Sequence, residues 1–154
     1  MCKNIRGSED QNLNTRGSDY QKLSAPRHEK LWIWQKAHGL RLKIHQICKS
    51  IPQDERFRLK DQIQRSSNSV ADNIAEGNSS YYWNEKIKGF YVARKEAGET
   101  QNHIRHLQGK RYIPSSEANL LINTYEEIIR GINGLIKRIV LKREESKRKG
   151  NKLV

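Results

Sequence analysis

Residues 59–77 read LKDQIQRSSNSVADNIAEG. Leu59, Ile63, Ser66, Val70 and Ile74 recur every three or four positions, which places them on one face of a helix. The small Ser66, Ser67, Ser69 and Ala71 let a partner helix approach closely on that side. Upstream, Asp54 is positioned to cap the helix and Glu55 to favour the positive end of its dipole. Downstream, Gly77 follows the last periodic residue and suits a left-handed C-terminal cap. The pattern predicts a helix over 54–76 that buries one stripe against neighbours.

Three further helices flank it. Over 28–50, Leu31, Trp34, Ala37, Leu40, Ile44 and Ile47 form a stripe that ends on Ile51, and Pro52 stops the helix. Trp32, Ile33 and Leu42 lie off that stripe and suggest a second, smaller contact surface. Over 83–111, Ile87, Phe90, Ala93, Ala97, Ile104 and Leu107 make an interrupted stripe. Gly89 and Gly98 each weaken that helix by about 1 kcal/mol, tolerable where neighbours press close. Pro114 ends the next turn, and Ser115 or Ser116 is placed to cap a fourth helix. There Leu121, Tyr125, Ile128, Ile132, Leu135 and Ile139 form a heptad seam, with Ile122, Ile129 and Ile136 as a second row. The second row fits either a broad core stripe or a face toward a neighbouring subunit. No segment reads as a strand. The expected fold is all-α, an antiparallel four-helix bundle over 27–141. A flexible polar arm is expected over 1–26 and a basic tail or helix extension over 142–154.

The composition is consistent with that plan. Hydrophobic residues are 34% and charged residues 31% of the 154, so the apolar residues must be concentrated on helix faces. Lys and Arg number 30 against 17 Asp and Glu, a formal net charge of +13. Such an excess favours polyanionic partners, because phosphate contacts release condensed counterions. Cys2 and Cys48 imply neither a disulfide framework nor a thiolate metal site. Residues 1–25 hold no apolar run of signal-peptide type, and no stretch is long enough for a membrane span. The expected compartment is the cytoplasm, without membrane contact.

The basic residues are the strongest functional signal. Arg56, Arg58, Lys60 and Arg65 belong to the second helix. Lys86, Lys88, Arg94, Lys95 and Arg105 follow along the third, and Lys137, Arg138, Lys142 and Arg143 crowd the end of the fourth. These are the candidate nucleic-acid contacts. Tyr82 and Trp83, with Tyr81, stand where the third helix begins and are candidates for base stacking. Asn73, Glu76 and Gly77 are assigned structural roles. His103 with His106, and His38 with His45, share helix faces, but no Glu-x-x-His pairs accompany them, so no metal is expected. Ser66, Ser67 and Ser69 lack a nucleophile elbow, and no Gly-rich phosphate loop is present. No catalytic residue, cofactor or enzymatic activity is assigned.

Several segments carry a resemblance. Leu31-Trp32-Ile33-Trp34-Gln35-Lys36-Ala37, Ser50-Ile51-Pro52-Gln53-Asp54-Glu55-Arg56-Phe57, and above all Ser69-Val70-Ala71-Asp72-Asn73-Ile74-Ala75-Glu76-Gly77 resemble the four-helix-bundle proteins encoded in intervening sequences of bacterial 23S ribosomal RNA genes. Phe90, Ala93, Glu99, Ile104 and Leu107, then Glu127-Ile128 and Gly134-Leu135-Ile136, fit the third and fourth helices of that family. The charged Arg94-Lys95-Glu96 and the aromatic Tyr82-Trp83 depart from its pattern. The resemblance implies a ring-like homopentamer and a relation to the accessory protein of diversity-generating retroelements, which partners a reverse transcriptase. The expectation is a nucleic-acid-binding bundle acting on RNA or an RNA–DNA intermediate. The alternative is a protein-interaction adaptor for a reverse transcriptase.

Overall fold

The computed structural model describes residues 25–150. The arm expected over 1–26 lies almost wholly outside the described residues, as do residues 151–154. Among the described residues the regular structure is helical: α1 (Trp32–Ser50), α2 (Asp61–Ser79), α3 (Trp83–Gly109) and α4 (Ser115–Gly150). A 3-10 turn over Arg27–Lys30 precedes α1. Consecutive helices pack on one another, and α4 closes the bundle against α1. Short connections force the antiparallel order. The starts of α1 and α3 therefore share one end of the bundle with the ends of α2 and α4.

The entry to α2 differs from expectation. Asp54 makes no capping hydrogen bond; the chain passes through a 3-10 turn, Gln53–Glu55, and a π-helical turn, Arg56–Lys60. Those turns already satisfy the backbone donors, with Glu55 N–H bonded to Pro52 O at 3.2 Å and Asp61 N–H to Arg56 O. A cap therefore has nothing to add at Asp61. Glu55 does not act as a surface dipole residue either. It is buried and accepts hydrogen bonds from Lys110 Nζ and, at 3.3 Å, from Tyr112 Oη. That contact ties the α1–α2 connection to the α3–α4 connection. At the start of α4, Ser115 Oγ accepts from Gln108 Nε2 at 3.0 Å, while Ala118 N–H bonds to Pro114 O.

Gly77 is the clearest correction. It lies inside α2, which runs on to Ser79, and its backbone is not in the left-handed region. Ser80 closes the helix instead, its N–H and Oγ both bonding Glu76 O at 2.8 and 2.9 Å. Gly77 is required for contact. A Cβ there would lie 3.1 Å from Lys86 O on α3. The left-handed cap belongs to α3, where Arg111 has φ 61°. Around it Arg111 N–H bonds Gln108 O and Tyr112 N–H bonds Leu107 O, the paired bonds of a Schellman cap.

The α2 stripe packs as its periodicity predicts: Leu59, Ile63, Ser66, Val70 and Ile74 are all buried, with Ser67 and Ala71 beside them. On α1 the stripe turns at its start. Ile33 enters the core, whereas Trp34 is half-buried and stacks on His38 with centroids 4.9 Å apart. On α4 the heptad seam holds through Ile132, then passes to Ile136 rather than Leu135. A straight helix repeats every 3.6 residues and drifts off a 3.5-residue seam, which explains the shift. Ile122 and Ile129 pack against the same core, so the second row broadens the core stripe within the protomer. The interruption in the α3 stripe is filled by buried Thr100, whose Oγ1 lies 2.9 Å from Ser66 Oγ.

Candidate nucleic-acid interface

The antiparallel packing gathers one group of candidate residues at the α2–α3 end. Arg143 Nη1 donates to Asn84 Oδ1 at 3.0 Å, which fixes the basic end of α4 against the start of α3. Lys86 Nζ donates to Asn78 O at 3.1 Å across the α2–α3 turn. Tyr81 is 87% exposed, Tyr82 64% and Trp83 37%, so this turn presents aromatic surface to solvent. Tyr81 and Tyr82 meet edge to face, centroids 5.2 Å apart. Behind them a cavity of about 710 Å³ is lined by Arg27, Lys86, Arg138 and Lys142, with Trp83 and Phe90 among its walls. Beyond Glu144 the helix continues, and residues 145–150 are all exposed. Of the basic tail or helix extension expected over 142–154, the described part continues α4 as a helix to Gly150, about 9 Å beyond Glu144 at 1.5 Å per residue.

A second group lies at the opposite end. Arg56, Arg58 and Lys60 sit in the turn before α2, near Lys110 and Arg111 at the close of α3. The Arg56 guanidinium lies 5.3 Å from the Phe57 ring centre. A shallow groove of about 460 Å³ joins Arg56 and Lys60 to Lys49, His45 and Cys48. Burial pushes the Cys48 thiol up to about 11, so it is not a nucleophile near neutral pH.

The remaining candidates are spread along the helices and are partly engaged. Arg65 faces Glu99 at 3.5 Å. Arg94 donates to Asn133 Oδ1 at 3.2 Å and lies over Tyr91. Arg105 donates to Gln108 and Asn119 at 2.8 and 2.9 Å. Lys88 and Lys95 flank an apolar groove beside Tyr91 and Arg143, while Lys137 is exposed on α4. The structure thus gathers basic residues at both ends of the bundle, with Arg65, Arg94 and Lys95 along the helices between them.

Asn73 Nδ2 donates to Ser69 O at 2.8 Å and to Ser69 Oγ at 3.0 Å. Glu76 contributes through its backbone carbonyl. The histidines serve local packing: His38 under Trp34, His45 at 3.1 Å from Asn68 Oδ1, and His103 at 3.5 Å from Glu99. Among the described residues no three His, Cys, Asp or Glu side chains converge as a metal site. No helix among them is long and apolar enough to cross a membrane. Sequence reasoning missed Arg27 and Asn78 at the α2–α3 end. Neither belongs to a periodic stripe or a charge run, and only the antiparallel fold brings them to Arg138.

The family model for the 23S rRNA-intervening sequence protein matches residues 29–134. A crystal structure of a protein with unknown function from the S23 ribosomal protein family, from Bacteroides thetaiotaomicron, is similar to this chain. The two share 25% sequence identity and a TM-score of 0.63, over 68% of this chain and 95% of the other. No curated protein matches the chain.

Proposed function

The chain belongs to the 23S rRNA-intervening sequence protein family, and on that premise we propose that it is a non-catalytic, basic bundle that holds nucleic acid, RNA above all, in the cytoplasm. One observation carries this reading. The α2–α3 end places exposed Tyr81, Tyr82 and Trp83 beside Lys86, Arg138, Lys142 and Arg143. Cations neutralise phosphates without regard to sequence, and exposed aromatic faces stack unpaired bases. The pairing of the two favours single-stranded or looped RNA, or an RNA–DNA intermediate, over plain duplex.

Assembly as a ring-like homopentamer would repeat this end around a symmetry axis and add avidity. The exposed apolar Leu42 on α1 and Leu120 on α4, 53% and 67% accessible, support contact with another protein surface. The same residues support a second reading, an adaptor for a reverse transcriptase in a retroelement.

Fluorescence anisotropy of a labelled single-stranded RNA against salt concentration tests the proposal. Affinity should fall linearly on logarithmic axes, with a slope of about −3 if about four phosphates are neutralised. No binding of RNA or DNA at low salt would leave the adaptor reading in its place.

A further inference from the structure

We propose that the cavity at the α2–α3 end seats a terminal nucleoside monophosphate, with the phosphate held by Lys86, Arg138 and Lys142 and the base against Trp83. The proposal rests on the nucleic-acid reading above and adds which part of the polymer the cavity takes.

The cavity lies between the end of α2, the start of α3 and the later turns of α4, and its volume of about 710 Å³ lies within the range of small-molecule sites. Among the described residues, four cations line it and no carboxylate does. None of the four enters an ion pair among the described residues. A dianion seated among them would meet these positive groups without competition from a carboxylate of the described lining. Lys86 is already oriented by its bond to Asn78 O.

Asn78 supplies an independent sign of a missing partner. It lines the cavity, and its Nδ2 is buried without a hydrogen-bond partner. A buried donor with no acceptor is costly, and a turn of the Asn78 side chain toward the cavity would give it a phosphate oxygen as acceptor. Phe90, Leu135 and Ile139 beside Trp83 give the wall an apolar part, which suits a base or sugar, while Ser79 and Ser80 add hydroxyls. A terminal phosphomonoester carries about −1.5 to −2 near neutral pH, close to twice the charge of an internal diester. Convergence of cations on one cavity therefore favours a strand end over a passing backbone. A strand end and a free nucleoside monophosphate present the same chemistry here.

The test uses the full chain and labelled RNA ten-mers of one sequence with hydroxyl ends, a 5′-monophosphate or a 3′-monophosphate. One terminal phosphate should tighten binding by about tenfold or more, the scale of added charge-assisted hydrogen bonds. Asn78→Leu and the pair Arg138→Gln, Lys142→Gln should erase that advantage, with helical content by circular dichroism unchanged. Equal binding of all three strands overturns the cavity proposal and leaves the nucleic-acid reading standing. Quenching of tryptophan fluorescence by adenosine monophosphate, without strand binding, keeps the cavity and overturns the nucleic-acid reading. Competition by an acidic peptide but not by adenosine monophosphate overturns the cavity proposal in favour of a protein partner.

Discussion

Gly77 on α2 and Gly89 on α3 meet at one helix crossing, where Gly77 fills the space a side chain on Gly89 would need and the α3 backbone around Gly89 crowds one on Gly77. A Cβ on Gly89 would lie 2.9 Å from Gly77 Cα, and one on Gly77 would lie 3.3 Å from Phe90 N. The obstacle is backbone on both sides, so neither helix can relieve it by a rotamer change. The crossing also sets where Asn78 and Lys86 fall, and through them the cavity at the α2–α3 end.

Two glycines of the same helix should therefore respond with opposite signs. Gly98 has open space around its Cα, and Gly98→Ala should stabilise the fold by about 0.5–1 kcal/mol through helix propensity alone. Gly89→Ala should destabilise it by about 1–3 kcal/mol despite the same propensity gain. Urea midpoints at constant slope measure both. Stabilisation by both changes would contradict the crossing.

Arg111 holds the left-handed cap of α3 at φ 61°. An L-residue there costs roughly 1 kcal/mol that glycine does not. Arg111→Gly should raise the urea midpoint by a corresponding amount. A lower midpoint would mean that contacts of the Arg111 side chain outweigh the strain.

These two positions show what was legible in the sequence. The apolar period of α2 and α3 gave the faces, and Ile63, Val70, Phe90 and Ile104 are buried as expected. Helix number and order followed from Pro52, Pro114 and the short turns. The role of Gly77 did not follow, because a helix-terminal glycine and a crossing glycine look alike until the partner helix is placed. Glu55 was misread for the same reason: its partners Lys110 and Tyr112 are distant in sequence. Among the candidate contacts, local sequence marked the cations but could not sort them between two ends.

Glu55 should give the fold a dependence on acid. The hydrogen bond from Lys110 holds its carboxyl below the ordinary value of 4.5, against the opposing effect of burial. A depressed carboxyl contributes stability above its unfolded pKa and loses it as pH falls through the folded one. Between about pH 6 and about pH 3, the melting temperature of the wild type should fall more steeply than that of Glu55→Gln. Parallel curves would remove Glu55 from the acid response.

Tyr125 is fully buried, and its hydroxyl lies beside Thr100 without a well-formed hydrogen bond, because Thr100 Oγ1 is already bonded to Ser66 Oγ and Glu96 O. Removing an unsatisfied buried hydroxyl relieves its desolvation cost. Tyr125→Phe should stabilise the protein by about 1 kcal/mol in urea unfolding. A loss of that size would reveal a hydrogen bond to this hydroxyl.

We assign nucleic-acid binding to the α2–α3 end rather than to positive charge in general. Two double reversals separate these ideas: Arg138→Glu with Lys142→Glu at that end, and Arg56→Glu with Arg58→Glu at the other. Each replaces two positive charges by two negative ones, so both lower the net charge of +13 by the same four units. Anisotropy of labelled single-stranded RNA at one fixed salt concentration measures the result. The Arg138/Lys142 reversal should weaken binding by about tenfold more than the Arg56/Arg58 reversal. Equal losses, or a larger loss at the Arg56 end, in variants that keep their helical content, would contradict the assignment.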